Sequence, residues 1–204
     1  MTWTSPSLLR RVKPGGRSSA TLTAVYSPMT TGMSGWDIFN PPKLYDEVFT
    51  PNTCGVYLVG GRTERGNACN DVYLLKPRKK TENEGTPVLV WQKLEITGSP
   101  PEPRHSHGAC LCGKFLFIFG GRDDSRVGLC EVPGIALLNI ESQRWDKVEV
   151  TGKLPSARWG ASMTAAGSKV LIFGGQKIAK YCGSKVYVLE IEAGAVHVEV
   201  SVSK

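Results

Sequence analysis

Short apolar runs recur along the chain, and three of them close on a pair of glycines: VYLVGG at 56–61, FLFIFGG at 115–121 and VLIFGG at 170–175. Downstream of the first two comes the same phrase, WQKLEITGSPPEPR (91–104) and WDKVEVTGKLPSAR (145–158), 54 residues apart. Runs rich in Val, Ile, Tyr and Phe and bounded by Gly or Pro predict strands, and their near-continuous apolarity predicts burial on both faces. A repeat of this period predicts an array of one supersecondary unit.

Aligning the units gives four strands in each. The clearest unit places them at His107–Leu111, Phe115–Phe119, Ile135–Ile140 and Trp145–Val150, with a loop from Arg122 to Pro133 between the second and third. The following unit repeats this at Gly160–Ala166, Val170–Phe173, Lys185–Glu190 and Val196–Val202, and the preceding one at Ser19–Val25, Gly55–Val59, Asp71–Leu75 and Val90–Ile96. The glycine pair is expected where the chain leaves a buried strand beside a closely packed neighbour, with one or both residues at positive φ. The tryptophan opening the fourth strand offers a large apolar face between adjacent sheets. A four-stranded sheet cannot bury both faces alone, and radial stacking solves that.

The glycine pairs, the third-strand runs DVYLLKP (71–77), GIALLNI (134–140) and KVYVLEI (185–191), the tryptophan, and a proline shortly before an arginine together resemble kelch repeats. Arg104 and His107 match that family's Arg-x-x-His, whereas Arg158 stands with Ala161 and Arg17 with Ala20. Blade three departs further, with Val196 where tryptophan is expected. The resemblance implies an all-β, kelch-type β-propeller. It would have about three four-stranded blades plus an N-terminal strand from a further blade, a partial propeller. Residues 1–17 read as that strand or a linker, since Trp3 precedes Arg17 by 14 residues, nearly the spacing of the other two phrases. Blade one takes 18–97 with long insertions at 26–53 and 76–89, blade two takes 98–151 and blade three 152–204. Closed rings of the family are expected to hold six or seven blades, and three would leave two apolar faces uncovered. The chain is then a fragment of a longer product, a subunit capped by a partner, or half of a three-plus-three homodimer. The first two are preferred.

Composition narrows the functional classes. The formal net charge of +7 favours acidic partners or nucleic acid. No run of about 18 apolar residues suggests a membrane span, and MTWTSPSLLRRVKPGG has no apolar h-region, so a cytoplasmic location is expected. The acid-free, Arg- and Ser-containing first 36 residues make mitochondrial targeting the alternative. Six irregularly spaced cysteines fit free thiols rather than a disulfide framework, and no CxxC pair offers a zinc site.

Two rims are candidates for binding. The insertions of blade one bring Trp36, Phe39, Tyr45 and Phe49 beside the basic tract of Lys76, Arg78, Lys79 and Lys80. Aromatic and basic residues on loops of a rigid scaffold suit a protein interface. On the opposite rim, the resemblance implies acidic-peptide binding by residues after the glycine pairs and before the first strands. These are Arg62, Arg122 and Gln176 with Ser19, Ser106 and Gly160. Arg17, Arg104 and Arg158 are expected to be structural. No metal or other cofactor is expected: only three histidines exist, and no phosphate loop, nucleophile elbow or HExxH motif is present. The reading is therefore a non-enzymatic protein-interaction scaffold. Its alternatives are a basic structural subunit of a large assembly, such as a ribonucleoprotein, and, third, a propeller-type oxidase or sugar-active enzyme.

Overall fold

The three apolar runs with terminal glycine pairs lie inside three successive sheets of a computed structural model that describes residues 14–25, 55–77, 89–123, 132–178, 180–192 and 195–201. Among these residues every regular element is a strand. In the first sheet β1 (Arg17–Ser18) and β2 (Thr21–Val25) both pair with β3 (Gly55–Thr63), which is followed by β4 (Ala68–Pro77) and β5 (Leu89–Lys93). The second sheet takes β6 (Thr97–Gly98) at its outer edge and runs inward from β10 (Arg144–Asp146) through β9 (Ile135–Asn139) and β8 (Phe115–Phe119) to β7 (Gly108–Cys112). The third has β11 (Glu149–Gly152) at its outer edge, then β16 (Ala195–Ser201), β15 (Val186–Glu192), β13 (Lys169–Lys177) and β12 (Trp159–Ala166), with β14 (Lys180–Tyr181) beside β13. The first strands of successive sheets are neighbours, as in propeller blades around an axis.

The alternation of side chains along each strand serves two different cores. Tyr57, Val59, Val72 and Leu74 of blade one meet Leu116, Ile118, Leu138 and Trp145 of blade two. From the other face of blade two, Cys110, Phe117, Phe119 and Leu137 meet Ala161, Val170, Ile172 and Leu189 of blade three. All four residues from Leu116 to Phe119 are fully buried, which explains the unbroken apolar run. Each such side chain contributes about 1.5–3 kcal/mol by leaving water. Val196, standing where blade two has its tryptophan, is also fully buried in the second core, so the smaller residue still fills its place.

Several expected boundaries change. The fourth strands do not run unbroken from Trp145 to Val150 or from Val90 to Ile96. Each stops, and the following residues cross to the outer edge of the next sheet, where they pair in parallel: Arg144 with Thr97, and Val196 with Val150. The crossing satisfies outer-strand backbone groups that the blade's own four strands leave open. In blade one, β3 continues past its glycine pair through an irregularity between Val59 and Gly61 and joins β4 in a short hairpin. Thr63 N–H donates to the Asn67 carbonyl at 2.9 Å there, so the strands outlast the apolar run.

The glycine pairs are conformationally required. Both residues of every pair have positive φ, from 59° at Gly60 to 100° at Gly121. A Cβ on Gly60 would lie 2.7 Å from the Arg104 carbonyl oxygen, and one on Gly120 would overlap that of Arg158. At Gly174 the backbone is equally left-handed, at φ 67°, but nothing lies within 4 Å. The hairpin-turn glycine Gly167, at φ 63°, likewise has nothing within 4 Å, so Gly167→Ala should cost only the left-handed strain, about 1–2 kcal/mol, and Gly120→Ala should cost clearly more because a blade joint must open. Urea unfolding of the two variants measures the difference, and equal losses would refute a steric role for the joint.

Candidate protein-binding rim

One arginine per blade organises the rim where the second strands end. Arg104 NH1 donates to the Gly120 carbonyl at 3.0 Å and its Nε to the Glu102 carbonyl at 3.0 Å. Arg158 repeats this on Gly174 at 2.9 Å and Ser156 at 2.9 Å. Arg17 donates to the Gly60 carbonyl at 2.9 Å and pairs with Asp71, NH2 to Oδ2 at 2.7 Å. Arg104 and Arg158 are buried, and all three serve structure.

Immediately after each arginine the backbone pairs across to the residue following the glycine pair. Ser18 faces Arg62, His105 exchanges hydrogen bonds with Arg122 at 3.0 and 2.9 Å, and Trp159 faces Gln176. One residue further on, Ser19, Ser106 and Gly160 all adopt left-handed φ, at 54°, 54° and 64°. Their backbones connect the blades: Ser106 N–H donates to the Ser19 carbonyl and Gly160 N–H to the Ser106 carbonyl, each at 2.8 Å. The six positions expected on this rim thus lie together. Arg62 and Arg122 are partly exposed. The Arg122 guanidinium lies over the Trp159 ring of the next blade, 4.6 Å from its centre.

Trp36, Phe39, Tyr45, Phe49, Arg78, Lys79 and Lys80 lie outside the described residues. Lys76 falls within β4, paired with Val90, rather than in a loop.

Trp159, His105 and Asp123 were not assigned to this rim from the sequence. Each adjoins a singled-out position, and aligning the residues that follow Arg17, Arg104 and Arg158 would have placed Trp159 and His105 on the rim. His105 and Asp123 are buried. Among the described residues no three His, Cys, Asp or Glu side chains come together as metal ligands would. Cys110 is a buried free thiol whose pKa is pushed up to about 12, first by burial and then by Cys112, so it stays protonated and unreactive.

Comparison with known proteins agrees with this geometry. Residues 49–203 match the model of the KLHDC2/KLHL20/DRC7 Kelch-repeats domain. The chain belongs to the kelch-repeat family. It is 27% identical to the tip elongation aberrant protein 1 of Schizosaccharomyces pombe over 87% of this chain and 15% of that protein. It is 30% identical to the bovine Rab9 effector protein with kelch motifs, over 71% of this chain and 38% of that one. The kelch chain thus spans well under half of these relatives. A solved structure, that of YjhT, superposes on 92% of this chain and 47% of its own with a TM-score of 0.57 at 17% identity, and supports the propeller fold. No helix among the described residues is long and apolar enough to cross a membrane.

His107, the family histidine of blade two, bridges the first blade joint by Nε2 to Thr21 Oγ1 at 2.8 Å. Burial, then Arg104, then His105 lower its pKa to about 3. The fold thus holds it neutral while the unfolded chain takes up a proton below its ordinary value near 6.5. Its contribution is intact above that pH and is lost as pH falls toward 3, by up to about 1.4 kcal/mol per unit. Urea midpoints should drop between pH 7 and pH 5 in the native chain and drop less in His107→Gln. Parallel slopes would remove His107 as the cause.

Proposed function

We infer that this chain is a non-enzymatic protein-interaction module, and that its second-to-third-strand rim captures a carboxylate-bearing segment of a partner protein. The observation that carries this is the stacking of Arg122 on Trp159 across a blade joint, with Arg62 at the matching position of blade one. A guanidinium seated over an aromatic face suits two-point binding of a carboxylate. Ser106, whose backbone links Ser19 to Gly160 and whose hydroxyl meets His105 Nδ1 at 3.0 Å, is a further polar group for the same ligand. The net charge of +7 would speed the approach of an acidic segment. A relative named as an effector with kelch motifs is in keeping with action through binding. The segments 26–53 and 78–88, which carry Trp36, Phe39, Tyr45 and Phe49 and the basic Arg78, Lys79 and Lys80, are proposed as a second surface that selects the partner.

Fluorescence polarisation with an Asp/Glu-rich peptide tests the first surface. Binding should weaken with added salt and fall at least tenfold in Arg122→Glu and in Arg62→Glu, with unfolding midpoints little changed. Binding that ignores both substitutions would overturn the reading. Deleting 28–52 should remove the native partner in pull-downs while peptide binding persists.

A further inference from the structure

Each blade docks on the next through one repeated contact, and the two outer blades carry the complementary halves of that contact. At the first joint Gly61 N–H donates to the Arg104 carbonyl at 3.0 Å, and at the second Gly121 N–H donates to the Arg158 carbonyl at 2.8 Å. The residue before each glycine pair is sealed by the following blade: Val59 is 2% exposed and Phe119 0%. On blade three the same position, Phe173, is 48% exposed, and no atom covers a Cβ built on Gly174. Blade three therefore presents a finished donor face with no described blade against it.

Blade one presents the receiving half. Pro14-x-x-Arg17 repeats the spacing of Pro101 to Arg104 and Pro155 to Arg158. Ser19 already holds the left-handed conformation that Ser106 and Gly160 use to join their neighbours. Leu22 stands where Ala109 and Met163 stand in their blades. Those two pack into the joint with the preceding blade, whereas Leu22 is 65% exposed. Side-chain size also matches. Ser162, aligned with Thr21 and Gly108, would face Ala20, aligned with His107 and Ala161. Small would then meet small, as Gly108 already lies close to Ala161.

We propose that two copies of this chain join head to tail, blade three of each receiving blade one of the other, to close a ring of two chains. Gly175 N–H donates to the Arg17 carbonyl of the other copy, and the other copy's Ser19 N–H donates to the Gly160 carbonyl. Phe173 and Leu22 are buried against each other at both joints. A head-to-tail contact used twice closes on itself and leaves neither apolar face in water. The proposal does not depend on the acidic-partner reading.

Light scattering on the purified chain should give about twice its 22.1 kDa mass. Phe173→Glu spoils the donor face and Leu22→Glu the receiving face, so each variant alone should run at single-chain mass. An equimolar mixture should recover the two-chain mass, because one joint then has both native faces, and a variant that merely failed to fold could not do this. A single-chain mass for the native protein, a ladder of larger masses, a two-chain mass unaffected by either substitution, or no recovery on mixing would each overturn the proposal.

Discussion

Everything else in this fold hangs on a peptide segment clamped from two directions. The glycine pair at the end of each second strand gives its first carbonyl to the arginine side chain of its own blade. In blades one and two its second N–H goes to the arginine carbonyl of the following blade. One residue type thereby reads its own sheet with its side chain and its neighbour with its main chain. Only glycine tolerates the positive φ and the close carbonyl at once, so the arginine and the glycines cannot vary independently. A buried guanidinium would be costly unpaired, and the carbonyls it meets keep it hydrogen-bonded in the interior.

From that clamp follow the two cores. Fixing the spacing between neighbouring sheets lets Leu116 and Ile118 turn to blade one while Phe117 and Phe119 turn to blade three, so a five-residue strand supplies both interfaces. The rim is set by the same geometry. Residues one and two places beyond each arginine are carried to a common level, which puts Arg62, Arg122 and Gln176 in register although their loops differ in length.

The fold was legible because its strongest signals are local. Apolar runs, glycine pairs and a period of 54 residues each mark a strand or a turn without reference to the rest of the chain. The joints were harder to read. Thr97–Gly98 and Glu149–Gly152 bond in parallel to strands far along the chain, and nothing local in the sequence marks them as leaving their own sheet for the next. The stacking of Arg122 on Trp159 was hidden for a similar reason, since it unites two blades from residues far apart in sequence. The sequence favoured a longer chain or a capping partner over self-association. The proposal that the outer blades are matched to one another rests instead on the positions of Leu22, Phe173 and Gly174.

The parallel straps also impose an order in time. Glu149–Gly152 is synthesised before any other strand of the third sheet, yet its partner Ala195–Ser201 is that sheet's last strand. A chain emerging from the ribosome must therefore hold the strap open until nearly the whole blade has appeared, and the final strand then bolts the sheet to the one before it. Pairings so distant in sequence form slowly. Completion of a blade and its attachment to the preceding blade become a single late event, so a nascent chain halted before residue 195 would carry an unsecured third sheet.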